Sequence, residues 1–290
     1  MGCSRKSKMF DDKTRSLPTV SVIVPTYNAE KNIANLIESL LNLDYPTELL
    51  EIIIVDNNSN DRTKEIVKQY PIKLLEEKNI QSSYAARNIG IKTAKGEILA
   101  FTDVDCITDT HWIKYAISCG NKADLVAGNV IFTKKSKYNI FEIFDSHFYK
   151  HQEYNASIGT STTANLIVKK HVFNVLGPFP VVKTGGDIIW TRMATNKGYK
   201  MVYCENSKVF HPARKSLKET IEREIRFLGV SRRRLVKLHY KEIQDKVFFK
   251  KGKNLNARVL IVIIFVLKKI FTFIAVFTLL INDLSKKIRR

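Results

Sequence analysis

Four short runs of apolar, largely β-branched residues near the start of the chain constrain its fold most. They occupy residues 20–24, 51–55, 72–75 and 97–101. Continuous apolar runs of this length are typical of strands that are buried on both faces of a parallel sheet. Helical patterns follow the first three runs, over residues 30–41, 62–70 and 82–94. This alternation predicts an α/β sheet with flanking helices, and we expect Asn28 to cap the first helix.

Three carboxylates stand where two of these strands end. Asp56 follows the second run, and Asp103 and Asp105 follow the fourth. Ligands of parallel α/β sheets bind beyond the carboxyl ends of the strands. Because Asp103 and Asp105 flank a single residue, a bent turn lets both face one pocket that suits Mg²⁺ or Mn²⁺ with a diphosphate. A solvated acidic turn is the alternative interpretation.

Six motifs occur in a fixed order between residues 17 and 212. They are VIVPTYN at 22–28, IVDNNSND at 54–61, AARNIG at 85–90, FTDVDC at 101–106, GGD at 185–187 and HP at 211–212. In this order and spacing they resemble the inverting family 2 glycosyltransferases. The resemblance implies a GT-A type, Rossmann-like nucleotide-binding sheet, mixed but mainly parallel. It also implies transfer of a sugar from a nucleotide-sugar donor, with a UDP-sugar as the default, to a hydroxyl of a glycan or lipid-linked acceptor.

The same resemblance implies a divalent metal cofactor, Mn²⁺ or Mg²⁺. Asp103 and Asp105 match the family's DxD motif. Asp105 is then a direct metal ligand, while Asp103 contacts the ribose or sugar and reaches the metal through water. His211 matches the position of a third metal ligand. A histidine that only shapes the turn before Pro212 is the alternative.

Four further residues are implied in donor binding: Pro25, Tyr27, Asp56 and Arg87. By the resemblance Asp56 accepts a hydrogen bond from the nucleotide base, Tyr27 stacks on that base and Pro25 shapes the wall beside it. The charge of Arg87 is suited to a phosphate or to the base. The alternatives are a helix cap for Asp56, a rim aromatic for Tyr27 and a surface ion pair for Arg87.

Asp187 is the residue to which the resemblance assigns proton abstraction. Many family members carry Glu-Asp at this place, whereas Gly186 precedes Asp187 here. A role of that glutamate in orienting the acceptor is therefore missing. An N-cap aspartate without chemistry is the alternative for Asp187.

A helical region expected over residues 216–237 contains a looser match. Arg223 and Arg226 lie in REIRF, which resembles the family's Gln-x-x-Arg-Trp motif with Arg in place of Gln and Phe in place of Trp. The match implies a diphosphate clamp, and a solvated or lipid-facing basic surface is the alternative.

Positive charge is concentrated near the end of the chain. Residues 206–290 contain 22 Lys and Arg against 6 Asp and Glu, which accounts for +16 of the formal net charge of +20. Two apolar runs, 259–267 and 270–281, are separated by Lys268 and Lys269, so neither run alone reaches the roughly 20 residues that span a bilayer. This pattern predicts a helix lying in the membrane interface, and the alternatives are a shallow hairpin of two short helices or a buried helix of the soluble domain.

These observations predict five parts. They are a flexible tail at 1–16, a catalytic domain at 17–212, a basic helical segment at 213–254, a hydrophobic membrane-associating segment at 255–283 and a basic tail at 284–290. The four cysteines form no CxxC pair, so we expect neither a zinc site nor a disulfide, and a reducing cytosol. No secretory signal is evident, which predicts attachment at the cytoplasmic face of a membrane.

Two other functions remain open at this stage. A basic nucleic-acid-binding protein would explain the isoelectric point of about 9.7. However, the basic residues surround an apolar segment instead of a nucleic-acid recognition motif, so we expect no nucleic-acid partner. A catalytically silent scaffold is the second alternative, against which the retained Asp103, Asp105 and Asp187 count.

Overall fold

The computed structural model describes residues 17–134, 139–148 and 151–231, together with positions 270 and 274. The predicted flexible tail at 1–16 and the membrane-associating segment at 255–283, apart from those two positions, lie outside the described residues. Among the residues that are described, no helix has both the length and the apolar composition needed to cross a bilayer.

One mixed sheet organises the described chain. Its strands are β1 (Val20–Thr26), β2 (Leu50–Asp56), β3 (Lys73–Glu76), β4 (Ile98–Thr102), β5 (Ile107–Thr108), β6 (Leu125–Thr133), β7 (Asn165–Lys169) and β8 (Met201–Pro212). Their order across the sheet is β3-β2-β1-β4-β7-β6-β8-β5. β1 is parallel to β2 and β4, β2 to β3, and β6 to β8, whereas β7 and β5 pair antiparallel to their neighbours. The predicted mixed, mainly parallel sheet is confirmed.

Helices cover both faces of this sheet. They are α1 (Ile33–Leu41), α2 (Thr63–Val67), α3 (Ser83–Thr93), α4 (Trp112–Gly120), α5 (Ile140–Phe148), α6 (Gln152–Ser157), α7 (Lys170–Leu176), α8 (Gly186–Asn196) and α9 (Leu217–Ser231). A short 3₁₀ turn at Thr47–Leu49 precedes β2.

Alternate residues of the central strands pack into two separate hydrophobic clusters. Val22 and Val24 belong to the cluster that includes residues of α1, α2 and α4, whereas Ile23 belongs to the cluster with residues of α3, α7 and α8. All three side chains are fully buried. Burying one such side chain contributes roughly 1.5–3 kcal/mol. The sequence therefore needs apolar residues on both faces of β1, as the continuous run predicts.

Two details of the helices differ from the sequence-based expectation. Asn28 does not cap α1, which begins at Ile33; its backbone φ is 47°, and its Oδ1 accepts the N–H of Asn60 at 2.9 Å. Asn28 thus joins the loop after β1 to the loop after β2. In addition, α2 ends at Val67, before the predicted end at residue 70. Pro71 explains this in part, because a proline disfavours the helical conformation in the preceding residue.

The expectation that the chain has no disulfide is wrong. Cys119, at the end of α4, is bonded to Cys204 in β8, with their Cα atoms 6.0 Å apart. The two cysteines are 85 positions apart, so no spacing motif predicts the pair, and the packing of α4 against β8 brings them together. Disulfides persist mainly in oxidising environments, so the expectation of a reducing cytosol loses its basis in the cysteine pattern.

A bulge in β8 interrupts its pairing with β6. Gly128 pairs with Cys204 but Asn129 pairs with Lys208, so three residues of β8 bulge out of the ladder. Asn165 satisfies the exposed main-chain groups, since its amide nitrogen donates to the carbonyl oxygens of Asn129 at 2.8 Å and Ser207 at 2.9 Å. A Cβ on Gly128 would lie 2.3 Å from Asn165 Oδ1, which explains the glycine.

Candidate active site

Two carboxylates, a thiol and an imidazole meet at the end of β4. Asp103, Asp105, Cys106 and His211 each offer a ligand atom, and these atoms all lie within 4.8 Å of one another. The pairing of β5 with β8 explains the meeting, because Ile107 is opposite Phe210 and the next pair along the ladder is therefore Cys106 and His211. The structure brings the predicted metal ligands together and adds Cys106, which the sequence analysis did not select.

The orientation of His211 suits a metal ligand. Its Nδ1 lies 2.7 Å from the carbonyl oxygen of Pro212, and its Nε2 lies 3.3 Å from Asp105 Oδ2. An imidazole that donates from Nδ1 to a carbonyl presents Nε2 to the pocket, which is the usual arrangement around a bound metal. Two carboxylates with one imidazole form a donor set that fits a divalent cation such as Mn²⁺.

Asp103 forms an ion pair with a buried arginine. Arg87 Nη2 lies 2.7 Å from Asp103 Oδ1, and the Arg87 side chain is almost wholly buried. The surface ion pair considered for Arg87 is therefore excluded by burial. Arg87 thus contacts Asp103 and His211 contacts Asp105, within one cluster of ligand atoms.

Polar atoms without partners mark the ends of β1 and β2. Thr26 and Asp56 are paired in register and both are buried. Asp56 Oδ2 accepts the N–H of Ser59 at 3.0 Å. Within the described part of the chain, Asp56 Oδ1, Thr26 Oγ1 and Arg87 Nε have no hydrogen-bond partner. Because buried polar atoms are normally satisfied, these three call for polar partners such as a water or a ligand.

The other two predicted base-binding residues differ in exposure. Pro25 is a buried residue of β1, and Tyr27, immediately after that strand, is 49% exposed. A buried proline can shape a wall only through its neighbours, whereas the open face of Tyr27 is available for stacking. Both residues lie at the end of β1, but only Tyr27 has a ring face that a ligand can reach.

Asp187 lies in the first turn of α8 and is 7% exposed. Its Oδ1 accepts hydrogen bonds from the Tyr84 hydroxyl and from the N–H of Ile188, both at 2.9 Å. Its Oδ2 accepts from the N–H of Thr163 at 2.9 Å and from the Thr163 hydroxyl at 3.2 Å. A carboxylate has about four acceptor sites, so these donors occupy its hydrogen-bonding capacity.

The absence of a side chain at position 186 has a steric reason. A Cβ on Gly186 would lie 2.8 Å from the carbonyl oxygen of Pro180 and 3.1 Å from two ring carbons of Tyr84. The Tyr84 ring thus lies where a side chain at 186 would begin. Burial raises the pKa of the Tyr84 hydroxyl well above its usual value, the charge of Asp187 raises it further, and Arg87 lowers it. The hydroxyl therefore keeps its proton at neutral pH.

Arg223 does not have the environment expected of a diphosphate ligand. Its guanidinium forms a buried ion pair with Asp145 of α5, and both side chains are nearly inaccessible. Asp145 also accepts the N–H of Arg214 at 2.9 Å, so the pair links α5 and α9 to the chain just beyond His211. Arg226 lies in α9, but its side chain is outside the described residues.

Several residues that contact the predicted site were not selected from the sequence. They are Thr26, Tyr84, Cys106 and Thr163. Two of them carried a usable signal, since Cys106 follows the carboxylate pair directly and Tyr84 precedes Arg87 by three positions, which places both on one helix face. Thr163 carried none, because its contact with Asp187 depends on how the chain packs around α8.

Comparison with known proteins agrees with this geometry. The strand order and the carboxylates at the end of β4 define a GT-A type glycosyltransferase fold. The family model described as Glycosyl transferase family 2 matches residues 21–177. Glycosyltransferase AglE of Haloferax volcanii is 39% identical over 212 residues, which covers 69% of this chain and 69% of that protein. The chain therefore belongs to glycosyl transferase family 2 and is a glycosyltransferase.

Other relatives match over shorter parts. The poly(ribitol-phosphate) beta-N-acetylglucosaminyltransferase TarS of Staphylococcus aureus is 39% identical over 101 residues, and the matched part is 33% of this chain but only 18% of TarS. Two solved structures share the fold. The mannosyltransferase PcManGT of Pyrobaculum calidifontis, in complex with GDP-Man and Mn²⁺, has a TM-score of 0.57 at 23% identity and covers 74% of this chain and 64% of that one. TarS 1–349 with UDP-GlcNAc has a TM-score of 0.55 at 22% identity, covering 72% and 66%.

Proposed function

We propose that this glycosyltransferase moves a sugar from a nucleotide-sugar donor to a hydroxyl of a glycan or lipid-linked acceptor, with inversion at the anomeric carbon. The observation that carries the proposal is the cluster of Asp103, Asp105 and His211 at the carboxyl end of β4. The complexes of similar folds with GDP-Man and Mn²⁺ and with UDP-GlcNAc support the class of donor.

The chain's own residues suit the two halves of such a donor. Asp56 Oδ1 and Thr26 Oγ1 are buried without partners at the ends of β1 and β2, where a base N–H or a ribose hydroxyl would satisfy them. Tyr27 offers an exposed ring beside them. Arg87 has one unpaired Nε and a guanidinium that already holds Asp103, so it would bind next to the diphosphate.

Asp105 and His211 would hold Mn²⁺ or Mg²⁺, with Asp103 contributing directly or through water. Such an ion, when bound, stabilises negative charge on a leaving diphosphate. Arg87 would act in the same direction, because its buried guanidinium is fixed beside Asp103 before any substrate binds.

Asp187 would be the general base. In the proposed step the acceptor hydroxyl gives its proton to the Asp187 carboxylate, its oxygen forms the bond to the anomeric carbon, and the bond from that carbon to the diphosphate oxygen breaks. Two of the four donors to Asp187 are hydroxyl groups, those of Tyr84 and Thr163. The Thr163 hydroxyl can rotate away while the Thr163 N–H still holds Oδ2, so the carboxylate can exchange that hydroxyl for the acceptor.

We further propose that the enzyme is attached to the cytoplasmic face of the membrane through residues 255–283. The support comes from the +16 charge of residues 206–290 and from the two apolar runs around Lys268 and Lys269. Anionic lipids attract such basic segments at about 1 kcal/mol per Lys or Arg near the surface. A lipid-linked acceptor would then be close to the active site.

A thermal-shift panel tests the function. The full chain is heated with UDP, UDP-GlcNAc, GDP and GDP-mannose, each with and without Mn²⁺. We expect one nucleotide series to raise the Tm in the presence of Mn²⁺, because a ligand at one hundred times its Kd stabilises the fold by roughly 2.7 kcal/mol.

The variant Asp105→Asn should abolish the Mn²⁺-dependent part of that shift, since an amide lacks the charge that holds a hard cation. Asp124→Asn is the matched control, because Asp124 lies before β6 in contact with Lys169. Equal Mn²⁺-dependent shifts in wild type and Asp105→Asn would refute the metal site. Retention on nucleic acid without any nucleotide-dependent shift would favour the binding-protein alternative.

A further inference from the structure

One face of α3 contacts both halves of the proposed active site. Arg87 reaches Asp103 on the donor side, and Tyr84, three residues earlier on the same helix face, reaches Asp187. The Arg87 guanidinium carbon lies 5.7 Å from the centroid of the Tyr84 ring. The separation of Asp103 from Asp187 is therefore set partly by one turn of a rigid helix.

Asn88, on the next position of α3, fixes the loop that leads to Asp187. Its amide nitrogen donates to the carbonyl oxygen of Phe179 at 2.9 Å, and its Oδ1 accepts the N–H of Phe179 at 2.9 Å. The Tyr84 ring packs against the Phe179 ring with centroids 6.0 Å apart. The loop before α8 is thus held against α3 by both polar and aromatic contacts.

The Tyr84 ring occupies the space into which a side chain at position 186 would extend. A Cβ there would meet the Tyr84 ring at 3.1 Å, a distance at which the ring or the helix start must move. Gly186 and Tyr84 are therefore sterically coupled. In this packing the Tyr84 hydroxyl donates to Asp187 Oδ1.

We propose that Tyr84 is a positioning residue that acts through Asp187. Its ring occupies the space beside Gly186, and its hydroxyl donates to Asp187 Oδ1, which orients the carboxylate toward the acceptor. This inference rests on the proposed role of Asp187 as general base. Tyr84 is not itself the base, because its hydroxyl keeps its proton at neutral pH.

The hydroxyl is the part of Tyr84 that the inference concerns, so Tyr84→Phe is the direct variant. Turnover is measured on the full chain as release of nucleoside diphosphate from the nucleotide sugar that the thermal-shift panel selects, with water as the acceptor. We expect kcat to fall by roughly 10-fold, the scale of one hydrogen bond to a charged group. The KM for the donor and the affinity for the nucleoside diphosphate should stay within about twofold. Phenylalanine keeps the ring that contacts Arg87, the donor-side residue nearest to Tyr84.

Tyr45→Phe is the matched control. Tyr45 is also a buried tyrosine, and its hydroxyl donates to the carbonyl oxygen of Pro18 at 2.5 Å, at the opposite end of β1. Its kcat should stay within about twofold of wild type, which separates the loss of a buried tyrosine hydroxyl in general from the loss of this one.

A double-mutant cycle with Asp187→Asn decides whether Tyr84 acts through Asp187. Asp187→Asn should lower kcat by at least about 10²-fold, and adding Tyr84→Phe should change it by less than about twofold, since interacting residues are not additive. A further 10-fold loss in the Asp187→Asn background would overturn the inference, as would a Tyr84→Phe variant with wild-type kcat. If Asp187→Asn itself retains turnover, the base role fails and the inference fails with it.

Gly186→Ala keeps the test available if Tyr84→Phe does not fold. The added methyl would press on the Pro180 carbonyl oxygen at 2.8 Å and on the Tyr84 ring at 3.1 Å without removing the Tyr84 hydroxyl. We expect a similar loss of kcat with nucleotide affinity preserved. Wild-type kcat in Gly186→Ala would contradict the steric coupling on which the positioning depends.

Discussion

The two carboxylate oxygens of Asp56 have different surroundings. One carboxylate oxygen holds the loop after β2 by accepting the Ser59 N–H, and the other is buried without a partner in the described chain. An unsatisfied buried acceptor typically costs about 1–3 kcal/mol, and a ligand N–H would remove that cost. This energetic argument supports the proposal that Asp56 binds the nucleotide base or ribose.

We expect Asp56→Asn to weaken binding of the selected nucleoside diphosphate by roughly 10- to 100-fold, because hydrogen bonds to a charged group contribute about 1.5–3 kcal/mol. Isothermal titration in the presence of Mn²⁺ measures the change. Asp44→Asn is the control, since Asp44 forms an exposed ion pair with Lys114, a kind of pair that contributes little to stability. Unchanged affinity in Asp56→Asn would remove this residue from the binding site.

Helix α3 illustrates how a short motif acts as an element. In AARNIG, Arg87 contacts Asp103, Asn88 binds Phe179, and Gly90 permits the helix to approach β1. A Cβ on Gly90 would lie 2.5 Å from Ile23 Cγ2. The motif therefore serves two purposes on one helix. Gly90 allows α3 to pack closely on β1, and Arg87 places a positive charge beside Asp103.

The disulfide between α4 and β8 gives a prediction at the same scale. In the chain-entropy model, a bridge across 85 residues stabilises the fold by about 4–5 kcal/mol. We expect reductant to lower the Tm of the wild type by several degrees or more. The double variant Cys119→Ala with Cys204→Ala should unfold at the lower temperature with or without reductant, as measured by differential scanning fluorimetry. The bridge would be contradicted if reductant left the wild-type Tm unchanged although a thiol assay showed that Cys119 and Cys204 were both reduced.

Charge is distributed unevenly over the whole molecule. Residues 1–205 contain 26 Lys and Arg against 22 Asp and Glu, whereas residues 206–290 hold the +16 excess. Lys268 and Lys269 separate the two apolar runs, and placing both at the centre of a spanning helix would cost roughly 5–7 kcal/mol. Attachment to one face of a membrane would avoid that cost. The basic residues would then contact anionic head groups, and the apolar residues would enter the membrane interface.

We expect the full chain to sediment with liposomes that contain phosphatidylserine at low salt, and to bind much less to phosphatidylcholine alone. Deleting residues 255–290 should leave the protein in the supernatant while the Mn²⁺-dependent nucleotide shift is preserved. If the full chain stays in the supernatant with anionic liposomes, the membrane proposal is wrong. If the deletion also loses nucleotide binding, the segment belongs to the catalytic fold.

The first four strands, the helices between them, and the edge of the sheet that carries Asp56, Asp103 and Asp105 could be predicted from the sequence alone, whereas β5, β6 and β7 were not predicted. The reason is local, because continuous apolar runs identify buried strands, and the carboxyl ends of parallel strands share one edge. Only the tertiary structure decided the contacts of Tyr84 with Asp187, 103 residues apart, and of Cys119 with Cys204. It also decided the burial of Arg223 against Asp145. These pairs depend on which helices cross the sheet side by side, and no local periodicity in the chain encodes that arrangement.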